Sequence, residues 1–138
     1  MKVSKHSRMQ PCIHLPSDGK IPANLQTLSL AFNSIDDDGM VAFSNIIHKL
    51  SNLQNLNLQD NTIGDKGIKA FSNAIKVNGI LPNLQTLNIA LNSIGIDGME
   101  AFSNVMQENT TLPKLRFLKV NNLGDKYTLF TERGIVLY

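Results

Sequence analysis

The sequence predicts an α/β solenoid in which short parallel strands line one face and helices the other. Two observations predict it. The stretch from Leu25 to Ile47, LQTLSLAFNSIDDDGMVAFSNII, returns as LQNLNLQDNTIGDKGIKAFSNAI from Leu53 and as LQTLNIALNSIGIDGMEAFSNVM from Leu84. Leu115 opens a fourth, degenerate copy, so the copies start at intervals of 28, 31 and 31 residues. Within each copy the apolar spacing also changes from the period of a strand to that of a helix. A unit of this length cannot bury its own apolar face, and stacking it on its neighbours builds one continuous core.

Each copy carries L-x-x-L-x-L-x-x-N (Ile89 for the third Leu in the third copy) with an apolar residue two positions on, and then G-x-x-A-F-x-x-x-I, with Met106 for the final Ile in the third copy. The first part is the leucine-rich-repeat signature. The helical continuation makes the chain resemble the ribonuclease-inhibitor-like branch of that family, whose repeats pair a strand with a full helix. The resemblance covers residues 23–126. It implies a short right-handed βα horseshoe segment, with the parallel sheet concave, the helices convex, and a scaffold that binds proteins. About four strands and three helices are expected.

Residues 1–22 carry no repeat. Pro11, Pro16 and Pro22, with Ser17-Asp18-Gly19, forbid a long helix there, and Cys12-Ile13-His14-Leu15 suits an extended cap over the first repeat. Residues 23–126 form the repeats. Leu25, Leu28 and Leu30, and their counterparts, surround a strand whose alternate side chains point inward. Gly39, Ala42, Phe43, Ile46 and Ile47 then form an apolar helical stripe, as do Gly67, Ala70, Phe71, Ala74 and Ile75, and Gly98, Ala101, Phe102, Val105 and Met106, with small residues allowing close approach to the sheet. Phe43, Phe71 and Phe102 are expected in one core column. Asp37 and Asp65 occupy an N-cap position; Ile96 stands there in the third repeat, which needs its cap from elsewhere. Asn33, Asn61 and Asn92 read as a ladder of buried amides bonding the backbone between coils. The linkers KVNGILPN and QENTTLPK, each three residues longer than HKLSN, read as surface loops. In the fourth copy no AFSN helix follows. Tyr127–Phe130 and Ile135–Tyr138 flank Thr131-Glu132-Arg133-Gly134, so residues 127–138 read as a β-hairpin cap over the last sheet edge.

Chemistry-bearing motifs are scarce. His6, His14 and His48 show no metal spacing, and no metal or other cofactor is expected. In an EF-hand register with Gly39 sixth, positions one and twelve are Ser34 and Asn45, neither acidic, so a calcium loop fails. No Walker loop, nucleophile elbow or dinucleotide fingerprint is present, and the chain reads as non-enzymatic. A net charge of +2 without a basic tract argues against nucleic acid. No apolar run reaches membrane-spanning length, and no apolar segment of secretory type follows the basic start. Cys12 is the sole cysteine, which excludes an intramolecular disulfide and fits a cytoplasmic setting, or a host cytosol for an effector.

The concave sheet remains as the place for function. Its strand positions form two columns, Thr27, Asn55, Thr86 and Phe117, then Ser29, Asn57, Asn88 and Lys119. Beyond them lie Ala31, Gln59 and Ala90, then Phe32, Asp60 and Leu91 near the strand ends. Neutral amides and hydroxyls flanked by apolar side chains suit a protein or peptide partner bound by a monomer. An effector-like or adaptor role fits that reading. The repeats also resemble those of Ran GTPase-activating proteins, which implies regulation of a small GTPase as the alternative.

Overall fold

The computed structural model describes residues 24–76, 80–108, 111–121 and 127–138. Five short strands alternate with helices: β1 (Thr27–Ser29), α1 (Asp37–Ile46) with a 3-10 turn (Ile47–Lys49), β2 (Asn55–Asn57), α2 (Asp65–Ile75), β3 (Thr86–Asn88), α3 (Ile96–Met106), β4 (Phe117–Lys119), α4 (Tyr127–Glu132) and β5 (Val136–Leu137). All neighbouring strands pair in parallel, in the order β1 to β5. The register sets Leu28, Leu56, Leu87, Leu118 and Leu137 in one row. The first four are almost fully buried between sheet and helices. An α/β solenoid is therefore the fold, one strand and one helix longer than expected. The proposed N-terminal cap, with Cys12 and His14, lies outside the described residues.

The asparagines form a ladder. Asn61 Oδ1 accepts the amides of Asn33 (3.0 Å) and Ile35 (2.9 Å) from the preceding coil, while its Nδ2 donates to the carbonyls of Leu30, Leu58 and Gln59. Asn92 repeats the arrangement, accepting from Ile63 N and donating to Leu58, Ile89 and Ala90 carbonyls. These turns leave the sheet ladder, so one side-chain amide supplies the partners their buried backbone would otherwise lack.

The helix starts differ from expectation by one residue, and the difference explains the third repeat. Asp36, not Asp37, caps α1, accepting from Gly39 N at 2.9 Å. Asp37 lies in the first turn and reaches to the next coil, where its Oδ1 accepts from Gly64 N and Gly67 N at 2.7 and 2.8 Å. Asp65 does the same for Gly95 N and Gly98 N. Each aspartate thus caps the helix after its own, whose N-cap glycine offers no side chain. α3 receives its cap from Asp65, which is why Ile96 is tolerated at its first position. Asp65→Ala should lower stability by about 0.5–2 kcal/mol, the range for a lost cap, with the loss concentrated in α3. Amide exchange that is faster only in α2 would contradict that assignment.

Gly67 and Gly98 serve close approach between helices rather than between helix and sheet. A Cβ on Gly98 would stand 2.5 Å from Asp65 Oδ1 and 2.6 Å from Ile68 Cγ2. The buried stripe is also rotated from the expected one. Met40, Ile68 and Met99, with Ser44, Ser72 and Ser103, face the core, whereas Ala70, Ala101, Ala74 and Val105 are half-buried and Ala42 and Ile46 are exposed. Ser44 and Ser72 can be buried because they donate to the carbonyls of Met40 and Ile68 four residues back, whereas Ser103 Oγ has no hydrogen-bond partner among the described residues. Nor are the longer linkers wholly surface loops: Leu81 and Leu112 are buried like Leu50 in the shorter one.

The C-terminal segment is a helix and a parallel strand, not a hairpin. α4 occupies the helix position of a fourth repeat, and Phe130 is fully buried against Phe102, rings 6.0 Å apart and stacked. Phe43, Phe71, Phe102 and Phe130 thus fill equivalent core positions. Gly134, at φ +76°, ends the helix. Its amide bonds Thr131 O, and Ile135 N bonds Phe130 O, the paired bonds of a Schellman cap, with Ile135 buried beside them. The chain then enters β5 against β4.

Candidate functional site

The free face of the sheet carries the side chains that alternate with the buried leucines. The strand register places Thr27, Asn55, Thr86 and Phe117 in one row, and Ser29, Asn57, Asn88 and Lys119 in a second. Both rows were legible from the repeat spacing. β5 lengthens the first with Val136, and Tyr138 follows directly beyond β5, its amide on Leu118 O.

Much of the polar face is occupied by its own structure. Asn57 Oδ1 accepts Gln59 N, and Asn88 Oδ1 accepts Ala90 N, each closing a turn two residues on. Asn88 Nδ2 donates to Gln59 Oε1 at 2.7 Å, and Asn55 Nδ2 to Thr27 Oγ1 at 3.3 Å. These contacts hold the row in one arrangement before any ligand arrives. Ser29 Oγ is buried without a hydrogen-bond partner among the described residues.

At the strand ends, Phe32, Asp60 and Leu91 take left-handed φ values of 60°, 55° and 55°. Such backbone costs about 1–2 kcal/mol for a residue with a side chain. Three hydrogen bonds hold it here: Phe32 N to Gln59 O, Asp60 N to Ala90 O, and Leu91 N to Asn121 Oδ1. Leu91 is 54% exposed and Asp60 is exposed, whereas Phe32 is half-buried and offers less surface than an anchor in solvent would. Ala31 and Ala90, which the sequence suggested for this face, are buried.

Three of the six exposed large apolar side chains among the described residues gather at the C-terminal corner. Phe117, Val136 and Tyr138 are 43, 52 and 56% exposed. Phe117 meets Tyr138 edge to face with ring centres 6.4 Å apart, and Lys119 Nζ stands 5.8 Å from the Tyr138 ring. Sequence reasoning reached Phe117 and Lys119 but missed Val136 and Tyr138, because a hairpin would have turned those residues another way. The missed signal was glycine followed by isoleucine after a short helical run, which marks a helix end as readily as a hairpin loop.

Among the described residues no group of three or more histidine, cysteine or acidic side chains is gathered as a metal site. No described helix is long and apolar enough to cross a membrane. The arrangement offers a surface for contact.

A family model described as leucine-rich repeat matches residues 22–44, 49–72 and 81–103, just over half of the 138 residues. The chain belongs to the leucine-rich-repeat family. A search of curated proteins finds no match. Among solved structures, this leucine-rich-repeat chain is similar to one titled leiomodin-1 actin-binding site 2, with a TM-score of 0.67 and 21% identity. The alignment covers 81% of this chain and 63% of that one. At that identity the likeness shows a shared fold.

Proposed function

We propose that this protein is a non-enzymatic interaction module that binds a protein or peptide through the concave, free face of its sheet. The observation carrying this reading is the corner of Phe117, Val136 and Tyr138, where three apolar side chains are exposed side by side next to a pre-ordered polar row. Exposed apolar groups that adjoin one another, rimmed by polar ones, mark contact sites. A leucine-rich-repeat neighbour titled for binding actin supports protein partners as a class. Repeats with full helices keep the ribonuclease-inhibitor-like branch as the subfamily we favour. An adaptor or effector acting as a monomer in a cytosol fits a chain with the single cysteine Cys12.

Five strands spaced about 4.8 Å apart span roughly 19 Å, so the sheet alone gives less than the roughly 800 Å² per partner of a standard interface. Affinity should be modest and concentrated in a few side chains. With a partner captured from native cytosol, Leu91→Ala plus Phe117→Ala should weaken binding about tenfold or more. Lys69→Ala plus Glu100→Ala, on the exposed helix faces, should leave it unchanged. The reverse pattern would place the site on the helices and end this reading.

A further inference from the structure

Most of the described acids of this solenoid lie at one edge. Asp36, Asp37, Asp38, Asp60, Asp65 and Asp97 all lie where strands lead into helices. At the opposite edge, a groove of about 500 Å³ opens between the approaches to β3, β4 and β5, lined by Gln85, Pro113, Lys114, Leu115, Arg116, Arg133 and Gly134. From Thr111 onward, Glu132 is the one acid among the described residues, against Lys114, Arg116, Lys119 and Arg133.

Arg133 gives the groove a fixed charge. Its guanidinium donates to the carbonyls of Met106 (2.7 Å), Thr111 (2.9 Å) and Leu112 (3.4 Å), which tie the end of α3 to the last linker. All three acceptors are neutral, so they hold the cation without cancelling it. Burial lowers the Arg133 pKa from its usual value, a sign that the charged form is partly stripped of water there. Lys114 Nζ likewise donates to a neutral group, Asn83 Oδ1, at 2.9 Å. A carboxylate entering the groove would meet three cations that form no ion pair with an acid among the described residues.

The groove adjoins the apolar corner through the chain itself: Arg116 precedes Phe117 in β4, and Gly134 leads through Ile135 to Val136 in β5. We infer that the C-terminal end of the sheet recognises an acidic peptide segment, its carboxylates in the Lys114–Arg116–Arg133 groove and its apolar side chains on Phe117, Val136 and Tyr138. This rests on the sheet-face reading above and specifies its ligand. A nucleic acid fits less well, because Tyr138 already has Phe117 at one side and Lys119 against its ring. The basic residues also form one groove rather than a stripe along the solenoid.

A random-peptide display library panned on the purified full chain tests the inference, followed by anisotropy measurements on the enriched peptides and on a labelled single-stranded oligodeoxynucleotide. Enriched sequences should place Asp or Glu beside apolar residues. Replacing those acids by Gln or Asn should weaken binding about tenfold, as should Lys114→Glu plus Arg116→Glu in the protein, checked by melting to remain folded. Neutral or basic peptides that respond to Phe117→Ala plus Tyr138→Ala, but not to charge reversal, would overturn the acidic specificity and leave the sheet-face reading standing. Tighter binding of the oligonucleotide would also overturn it. Failure to enrich any peptide would overturn both.

Discussion

Asn61→Ala should lower the melting temperature by roughly 10 °C or more, the scale set by a loss of about 3 kcal/mol in a domain of this size. One amide side chain there serves two coils at once. Its removal takes the acceptor from Asn33 N and Ile35 N and the donor from Leu30 O, Leu58 O and Gln59 O. Asn61 is only 6% exposed, so water cannot readily replace it. Each buried polar group left unpaired costs roughly 1–3 kcal/mol, and partial relaxation of the turns keeps the total below the full sum. Asn73→Ala, on the exposed side of α2, is the matched control and should change stability by less than about 0.5 kcal/mol. Equal melting temperatures for the two variants would show that the ladder does not hold the coils together.

Phe130→Ala should be comparably damaging, by roughly 3–5 kcal/mol, the range for emptying a buried aromatic site. Phe130 is fully buried and stacks on Phe102, covering the core of the third repeat. Truncation after Lys126 removes Ile135 and β5 as well, so Leu118 and the last full repeat would face water. A repeat array needs a closing unit for solubility. The truncated chain should aggregate, while Phe130→Ala should remain folded at low temperature with a depressed melting point. A monomeric truncation with the parent's stability would mean that residues 127–138 close nothing.

The sequence and the structure agree most where a pattern recurs. Intervals of 28 and 31 residues align Leu28 with Leu56 and Leu87, and from them the row of Thr27, Asn55, Thr86 and Phe117 follows without a choice. The asparagine ladder was legible for the same reason. Features that depend on neighbours in space were not. Nothing local says that Asp37 bonds Gly64 and Gly67 instead of its own helix start, because the contact crosses between coils. The rotation of the helical stripe turned on whether Ser44 and Ser72 could be buried, and that depends on a carbonyl four residues back. In residues 127–138, Thr and aromatic side chains favour a strand locally, yet the uncovered Phe102 rewards a helix that brings Phe130 over it. The apolar corner inherited that error, since Val136 and Tyr138 reach the sheet's free face only through β5.

The central claim is that contact is made on the sheet and not on the helices, and amide chemical-shift mapping of the isotopically labelled protein with its captured partner tests it most directly. Shifts should cluster at Leu91, Arg116–Asn121 and Val136–Tyr138, with α1, α2 and the exposed face of α3 unchanged. Shifts confined to those helices, with the amides of β4 and β5 unmoved, would contradict the account.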